Sequence, residues 1–591
     1  LKAQGRPLAA SLDSTVLNPM VFLLLLLFPL AQAFSLIVMG KMLLAGGFMY
    51  MALRRWKLSR GAALVGGIAY MFSGFNIVWL MWPHTLVTAF APLLFYAVEG
   101  VVLDPGPRKT AILGAAVALL IVGGFPSVTA YFFMAAGLYF AVRVAHRQVT
   151  TNDWQKTLRS TAGFAVAFGF GIGLTAVQLL PTRDYADFAD LSYRDSLSSS
   201  RLPHNQLIQL VFPNYNGNQV FGNFRGEINL NESSGYVGTV TLGLAMLGAA
   251  AGALRRRVVP IFFAVLAVGC VLIVYNIGPF LEIISRFPIF DTNPSTRLLS
   301  VFGFAAAALG AFGLDDLRRL RLEGVPRRVA LVAGAAGVTV LVGVLGYLVY
   351  EMIDRWSLVT DFRDDFPIMD LTAFRVVTVA LAVSLSLTFS VAVLAHLWRP
   401  LPARTLALVA VVVIAVDVLF FAYRQNPTIA EANFYPEPPS IEFLQENLSP
   451  GERMTSFDGT FMIPGTQAFY GLSGAIGHAL YDERQRDLID SFSSDAFKTN
   501  TAVIPEAAKT DFLSPAFDLL GLKYLTFVPG TGPPMAETVY RQRYRLVYSR
   551  ADEVDIYEYR PYRDAFLVTN VVVEDEENAL ALVAGSRFDP A

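Results

Sequence analysis

Ala33-Phe-Ser-Leu-Ile-Val-Met-Gly-Lys-Met-Leu-Leu-Ala-Gly-Gly-Phe-Met-Tyr-Met-Ala-Leu53, followed at once by Arg54-Arg-Trp-Lys-Leu-Ser-Arg60, is the stretch that decides the fold. The first part has the length and apolar content a helix needs to cross a bilayer, about 20 residues. The second is a short connector crowded with cations. The pattern recurs outward from here, in segments 33–53, 61–82, 84–103, 110–124, 126–143, 161–181, 235–254, 258–278, 297–317, 328–350, 374–397 and 403–423. Basic connectors follow at Arg108 and Lys109, then at Arg143, Arg147, Lys156 and Arg159. Further basic connectors are Arg255-Arg-Arg257, the run from Arg318 to Arg328, and Arg399 with Arg404. Every second connector is basic, the bias that cytoplasmic loops carry. The expected architecture is an all-α polytopic membrane domain of about 12 transmembrane helices, as the basic-connector alternation implies. Both chain ends, and the tail after Tyr423, then lie outside the cytoplasm.

Composition agrees. Hydrophobic residues make up 54% of the chain and charged residues 16%, which argues against a soluble globular protein and makes the lipid bilayer its solvent. A net charge of −1 gives no footing for nucleic acid. The single cysteine, Cys270, excludes a disulfide framework and a cysteine metal site. His84, His146, His204, His396 and His478 have no ligand spacing. Neither a metal nor a cofactor is expected, and no hydrolase elbow, phosphate loop or dinucleotide fingerprint occurs in a credible context.

Three domains are expected. Residues 1–32 read as the end of a first external loop with an interfacial helix, because the apolar run Val21–Leu30 is too short to span. Residues 33–423 form the transmembrane domain, with an external loop at 182–234. Residues 424–591 form an extracytoplasmic mixed α/β domain truncated at its C-terminus. In this tail Ser440–Asn447 reads as a short helix, and Leu522–Phe527, Tyr544–Tyr548 and Val554–Tyr559 as strands. The polar start at Leu1 and the abrupt end after Ser586 make a fragment of a longer membrane protein the expectation.

Candidate functional residues are polar groups at helix mouths on the external side. Lys41 and Asp417 lie within apolar segments, where a charge is costly unless it is paired or faces water. Lys41 could hold an anionic group with Asp417 as its partner; the plainer alternative is a structural pair. His84 sits in the external turn Trp82-Pro-His-Thr85, for which a solvated imidazole is the plainer alternative. Arg183, Asp184, Tyr193 and Arg194 follow Gln178-Leu-Leu-Pro181, where a helix leaves the membrane. Glu232 and Arg297 stand at the next two re-entry points. Arginine suits phosphate because its planar fork donates two hydrogen bonds and stays protonated. Each such residue could equally be a helix-end anchor. Glu99, near a cytoplasmic helix end, reads as structural.

An ordered series of short motifs adds a resemblance. It runs through Tyr70-Met-Phe-Ser-Gly74, Pro92-Leu-Leu94, Gly124-Phe-Pro126, Gln178-Leu-Leu-Pro181 and Ser192-Tyr-Arg194. Glu232 ahead of Tyr236-Val-Gly238, Arg297, and Gly313-Leu-Asp-Asp-Leu317 follow. Tyr470-Gly471, Leu520-Gly-Leu-Lys-Tyr524 and Val554-Asp-Ile-Tyr557 complete it in the tail. The chain resembles the YfhO family of bacterial multi-pass membrane proteins, which is similar in layout to the GT-C glycosyltransferases. The resemblance implies a protein of the bacterial cytoplasmic membrane. It further implies transfer of a sugar from a polyprenyl-phosphate donor to an extracytoplasmic cell-envelope polymer. Arg194, Arg297, Glu232, Lys41, His84 and Tyr193 are the substrate-binding candidates. In GT-C enzymes the catalytic acid lies in the first external loop; only its end is present here, and Asp13 is its sole carboxylate. The base is therefore expected upstream, with Asp13 a weak substitute. The alternatives are a transporter or flippase of envelope precursors, which would show an internal repeat, and a non-catalytic membrane scaffold.

Overall fold

The computed structural model describes residues 10–187, 201–287, 290, 293–319, 371–398, 402–459, 461–462, 465–477, 481–499, 501–561 and 573–584. The chain divides into two compact units. One comprises Leu12–Gln178 and Arg194–Thr428; the other comprises Ile429–Ala591 together with Leu1–Ser11 and Leu179–Tyr193.

The first unit is a helix bundle. It opens with α1 (Pro19–Leu27), a nine-residue helix started by the Asn18 side chain, which accepts a hydrogen bond from Met20 N. Pro29 separates it from α2 (Leu30–Arg55), which ends in the basic pair Arg54 and Arg55. Then come α3 (Arg60–Met71), α4 (Gly74–Val78), α5 (His84–Leu103), α6 (Pro107–Ile121), α7 (Pro126–Thr151) and α8 (Trp154–Leu174). Connector residues set these ends. Ser59 and Asp153 cap α3 and α8 with their side chains, Pro107 and Pro126 fill first-turn positions that need no N–H, and Asn152 closes α7 at φ +52°. After α9 (Ala176–Ala186) and the short α10 (Leu230–Ser233), the bundle continues with α11 (Thr239–Leu254), α12 (Val258–Val274), the single turn α13 (Phe280–Ile284) and α14 (Leu299–Leu317). It closes with α15 (Leu371–Trp398) and α16 (Ala403–Ala422). Among the described residues, seven helices are long and apolar enough to span a membrane, and α11 and α12 are shorter apolar helices. The expected segment 328–350 lies outside the described residues.

Helix α14 is the axis of the bundle, with every residue from Leu299 to Leu317 buried. It lies backbone to backbone against α11. A Cβ on Gly248 would run into Leu309 O, and one on Gly313 into Leu244 O. Lipid tails give apolar helices no hydrophobic reason to associate, so small residues that permit such contact supply the packing energy.

Two expected spans are corrected. Segment 61–82 is not one helix. It breaks at Ser73, where Gly74 N donates to Tyr236 O at 2.6 Å and the chain turns through α4. The expected 161–181 helix starts earlier, at Trp154, and stops at Thr175, whose hydroxyl donates back to Gly171 O and Ile172 O.

The second unit is mixed α/β. Strands β1 (Arg453–Ser456), β4 (Leu522–Phe527), β5 (Tyr544–Ser549) and β6 (Asp555–Tyr559) form a sheet of order β1-β4-β6-β5, while β2 (Phe497–Thr499) and β3 (Ala502–Val503) make a separate hairpin. β1 runs parallel to β4, and the β4–β6 and β5–β6 pairs are antiparallel. The expected helix and three strands are all present; β1 and the hairpin are additions. Helix α17 (Pro439–Asn447) packs Ile441 and Leu444 with Met454, Tyr524 and Ile556, and a second cluster gathers Phe457, Phe492, Phe512, Phe517 and Phe527.

Candidate functional site

The break after α3 creates the site. A helix that stops inside a bundle leaves carbonyls without donors, and in apolar surroundings each must find one. Asn76 Nδ2 donates to Tyr70 O at 2.8 Å, Asn426 Nδ2 to Ile77 O at 2.8 Å, and Asn231 Nδ2 to Val78 O at 2.8 Å. The next carbonyls take a cation. Lys41 Nζ, from the middle of α2, donates to Leu80 O and to Trp82 O, each at 3.0 Å. Thr85 Oγ1 also donates to Trp82 O, at 3.1 Å. Lys41 is only 7% exposed, and no carboxylate pairs with it among the described residues.

His84, the first residue of α5, is stacked rather than solvated. Its ring lies between Trp79 and Phe125, with centroids 4.0 and 3.4 Å away. The side chain is buried, and neither Nδ1 nor Nε2 has a hydrogen-bond partner among the described residues. The expectation of a water-exposed turn imidazole is thereby corrected. The Gly123–Pro126 turn between α6 and α7 closes one side of the ring, where Gly124 adopts φ +89°. A Cβ there would come 2.7 Å from Leu12 O.

Arg297 completes the cluster from the entrance to α14. Its Cζ lies 4.8 Å from the Phe125 ring and 5.7 Å from the Trp79 ring. Its Nε and Nη2 donate to Glu232 Oε1 at 3.2 and 3.0 Å, while Thr296 Oγ1 donates to Glu232 Oε2 at 2.7 Å. Both oxygens of Glu232 are therefore engaged, and Glu232 orients the arginine. Tyr131 donates from its hydroxyl to Pro294 O at 3.1 Å, beside the turn that leads into Arg297.

Four of the expected binding residues, Lys41, His84, Glu232 and Arg297, thus come together at one end of the bundle. Tyr193 and Arg194 lie outside the described residues. Asp13 is exposed on the turn Leu12–Ser14, which packs against Gly124 and so borders the cluster. Asp417 is elsewhere, hydrogen-bonded to the Tyr236 hydroxyl and accepting from Thr239 N at 2.8 Å. It serves the positive N-terminal end of α11 instead of Lys41. Trp79, Phe125 and Asn76 carry no charge pattern and give no sequence signal beyond the Gly124-Phe-Pro126 motif.

The opposite ends of the helices hold a different set of charges. Glu99 accepts from Arg143 Nε at 3.0 Å, Arg143 Nη2 at 2.6 Å and Tyr139 Oη at 2.7 Å. Asp315 accepts from Ser59 N at 3.0 Å and pairs with Arg319 at 2.6 Å, while Asp316 pairs with Arg255 at 2.7 Å and with Arg257. The two aspartates at the end of α14 thereby tie three basic connectors together.

A bundle of spanning helices with a buried polar cluster at one end is a multi-pass membrane protein. A profile described as "Bacterial membrane protein YfhO" matches residues 15–438, so the chain belongs to the YfhO family. Among solved structures, the chain is similar to ArnT from Cupriavidus metallidurans, crystallised bound to undecaprenyl phosphate. The identity is 16% and the TM-score 0.40, over 91% of this chain and 86% of that one. No curated protein matches.

Proposed function

We propose that the protein is a glycosyltransferase of the bacterial cytoplasmic membrane. It moves a sugar from a polyprenyl-phosphate donor to a cell-envelope polymer on the extracytoplasmic side. The observation that carries this reading is the gathering of two cations and an unpartnered, buried imidazole around one aromatic stack. Lys41 offers an N–H beyond its two carbonyl bonds, Arg297 offers those that Glu232 leaves, and His84 can donate one. Each is a donor suited to a phosphate oxygen.

The acceptor hydroxyl oxygen bonds the anomeric carbon while the bond from that carbon to the phosphate oxygen breaks. The lipid phosphate departs with the electron pair, and the hydroxyl proton passes to a general base. Arg297 and Lys41 offset the charge growing on the phosphate, the term that usually contributes most. The base is the carboxylate that the resemblance places upstream in the first external loop; Asp13, exposed beside the Gly124 turn, is the weaker substitute. Arg194 and Tyr193 belong to the same proposed binding set.

The test is sugar transfer to envelope polymer in cells carrying Arg297→Ala or Arg194→Ala at normal protein level. Loss of one such donor costs on the order of a hundredfold or more in rate. Undiminished transfer in the Arg297 variant would overturn the assignment of this cluster.

A further inference from the structure

Helix α5 carries His84 at its first residue and a different feature near its last. A cavity of about 110 Å³ opens between α2, α5 and α6, lined by Arg55, Tyr96, Ala97, Arg108, Lys109 and Ile112. Tyr96 stands twelve residues along α5 from His84, about 18 Å at 1.5 Å per residue, so this is a separate place. We propose that the cavity binds the phosphate headgroup of an anionic membrane phospholipid.

Three cations face it, and their fixed counter-charge is slight. Arg55 lies over the Tyr96 ring, with Cζ 3.8 Å from the centroid, and donates from Nη1 to Tyr96 O at 3.0 Å. That posture requires Gly100, because a Cβ there would collide with Arg55 Nη1. Neither Arg55 nor Arg108 has a carboxylate partner among the described residues. Lys109 reaches Asp104 at 3.7 Å, but the Asp104 side chain is 81% exposed, and such a pair contributes little. Elsewhere at helix ends the arrangement differs: Arg143, Arg255 and Arg257 have buried acids. Here Arg55 is positioned, and neither guanidinium is neutralised by a carboxylate among the described residues.

The volume equals a few water molecules at about 30 Å³ each, the scale of one phosphate group with part of its hydration. The lining also favours a lipid over a free anion. Ala97 and Ile112 are apolar, and the cavity sits where α2 ends and α6 begins, at the depth of headgroups beside acyl chains. Basic pockets between helices at the cytoplasmic membrane surface are suited to acidic headgroups, each cation contributing roughly fivefold in affinity.

The experiment uses the whole chain in nanodiscs, titrating phosphatidylglycerol into a phosphatidylcholine background and reading bound lipid by native mass spectrometry. The expected result is preferential retention of phosphatidylglycerol, reduced about fivefold for each cation removed in Arg55→Gln and in Arg108→Gln/Lys109→Gln. The double variant alters half-exposed and exposed side chains, so it stays informative if Arg55→Gln fails to fold. Equal retention by wild type and the double variant would overturn the site. So would competition by millimolar inorganic phosphate in the phosphatidylcholine discs that matches phosphatidylglycerol, since the occupant would then be a free anion.

Discussion

Lys41 serves the fold, and in the proposed site it also serves the donor phosphate. Its ammonium closes the carbonyls of Leu80 and Trp82 that the break after α3 leaves open. Lys41→Met removes that donor; the one hydroxyl hydrogen of Thr85 can serve either carbonyl but not both, and the one left unpaired costs about 1–3 kcal/mol. The expected outcome is a lower melting temperature in detergent together with lost sugar transfer, whereas Arg297→Ala loses transfer with a smaller change in melting. A Lys41→Met protein that melts like wild type would show that water replaces the ammonium there. Glu232→Gln probes orientation instead. The amide retains a bond from Thr296 but removes the charge that holds Arg297, so transfer should fall about tenfold, less than for Arg297→Ala. The sequence made Lys41, Glu232 and Arg297 legible because a charge at an apolar segment or a helix mouth is conspicuous. It could not make their partners legible. The Leu80 and Trp82 carbonyls are backbone groups, and the stack of Trp79, His84 and Phe125 joins residues from separate turns. Asp417 was conspicuous for the same reason as Lys41, yet its partners are the Tyr236 hydroxyl and the backbone N–H of Thr239 at the start of α11, neither of them a charge.

At the scale of elements, periodicity and length were enough to find most spans, and α5 falls on its expected bounds, 84–103. The break inside 61–82 was hidden because every residue on either side of Ser73-Gly74 is compatible with a continuous apolar helix. What ends it is a tertiary bond from Gly74 N to Tyr236 O. The α11–α14 seam is the element contact most open to test. Gly313→Val places a branched side chain against Leu244 O, and overpacking of this kind costs about 3 kcal/mol. A clear fall in melting temperature is expected, and an unchanged value would mean that the seam parts freely. In the second unit the β2–β3 hairpin is flanked by Lys498–Glu506 and Lys509–Asp495 pairs. Hydrogen bonds from Lys498 and Lys509 hold the Glu506 carboxyl below its usual range, and one from Lys509 does the same for Asp495. A carboxylate with a lowered folded pKa stabilises above its unfolded pKa, about 4, and that contribution disappears as pH falls through the folded value. Amide exchange in 497–503 should therefore accelerate below about pH 4 relative to 522–527. Both pairs are exposed, so the change will be small.

For the whole molecule, the alternating basic connectors lead to a proposed orientation with the 201–234 loop and the second unit outside. Asn205→Cys and Ser491→Cys, both at exposed positions, should react with an impermeant thiol reagent on intact cells, and Asn152→Cys should not. The native Cys270 is buried and gives little background. Labelling of Asn152→Cys would invert the orientation. Should the orientation hold, the pair Asp315 and Asp316 also bears on the order in which the chain is made. Ser59, Arg255 and Arg257 leave the ribosome well before the acids that later bind them. Arg255 and Arg257 are therefore unmasked while their hairpin chooses its side of the membrane, and are neutralised only once α14 arrives. Orientation is thus decided by charge during synthesis and locked by the same charges afterwards. An Asp315→Asn/Asp316→Asn protein should insert the right way round and then unravel early.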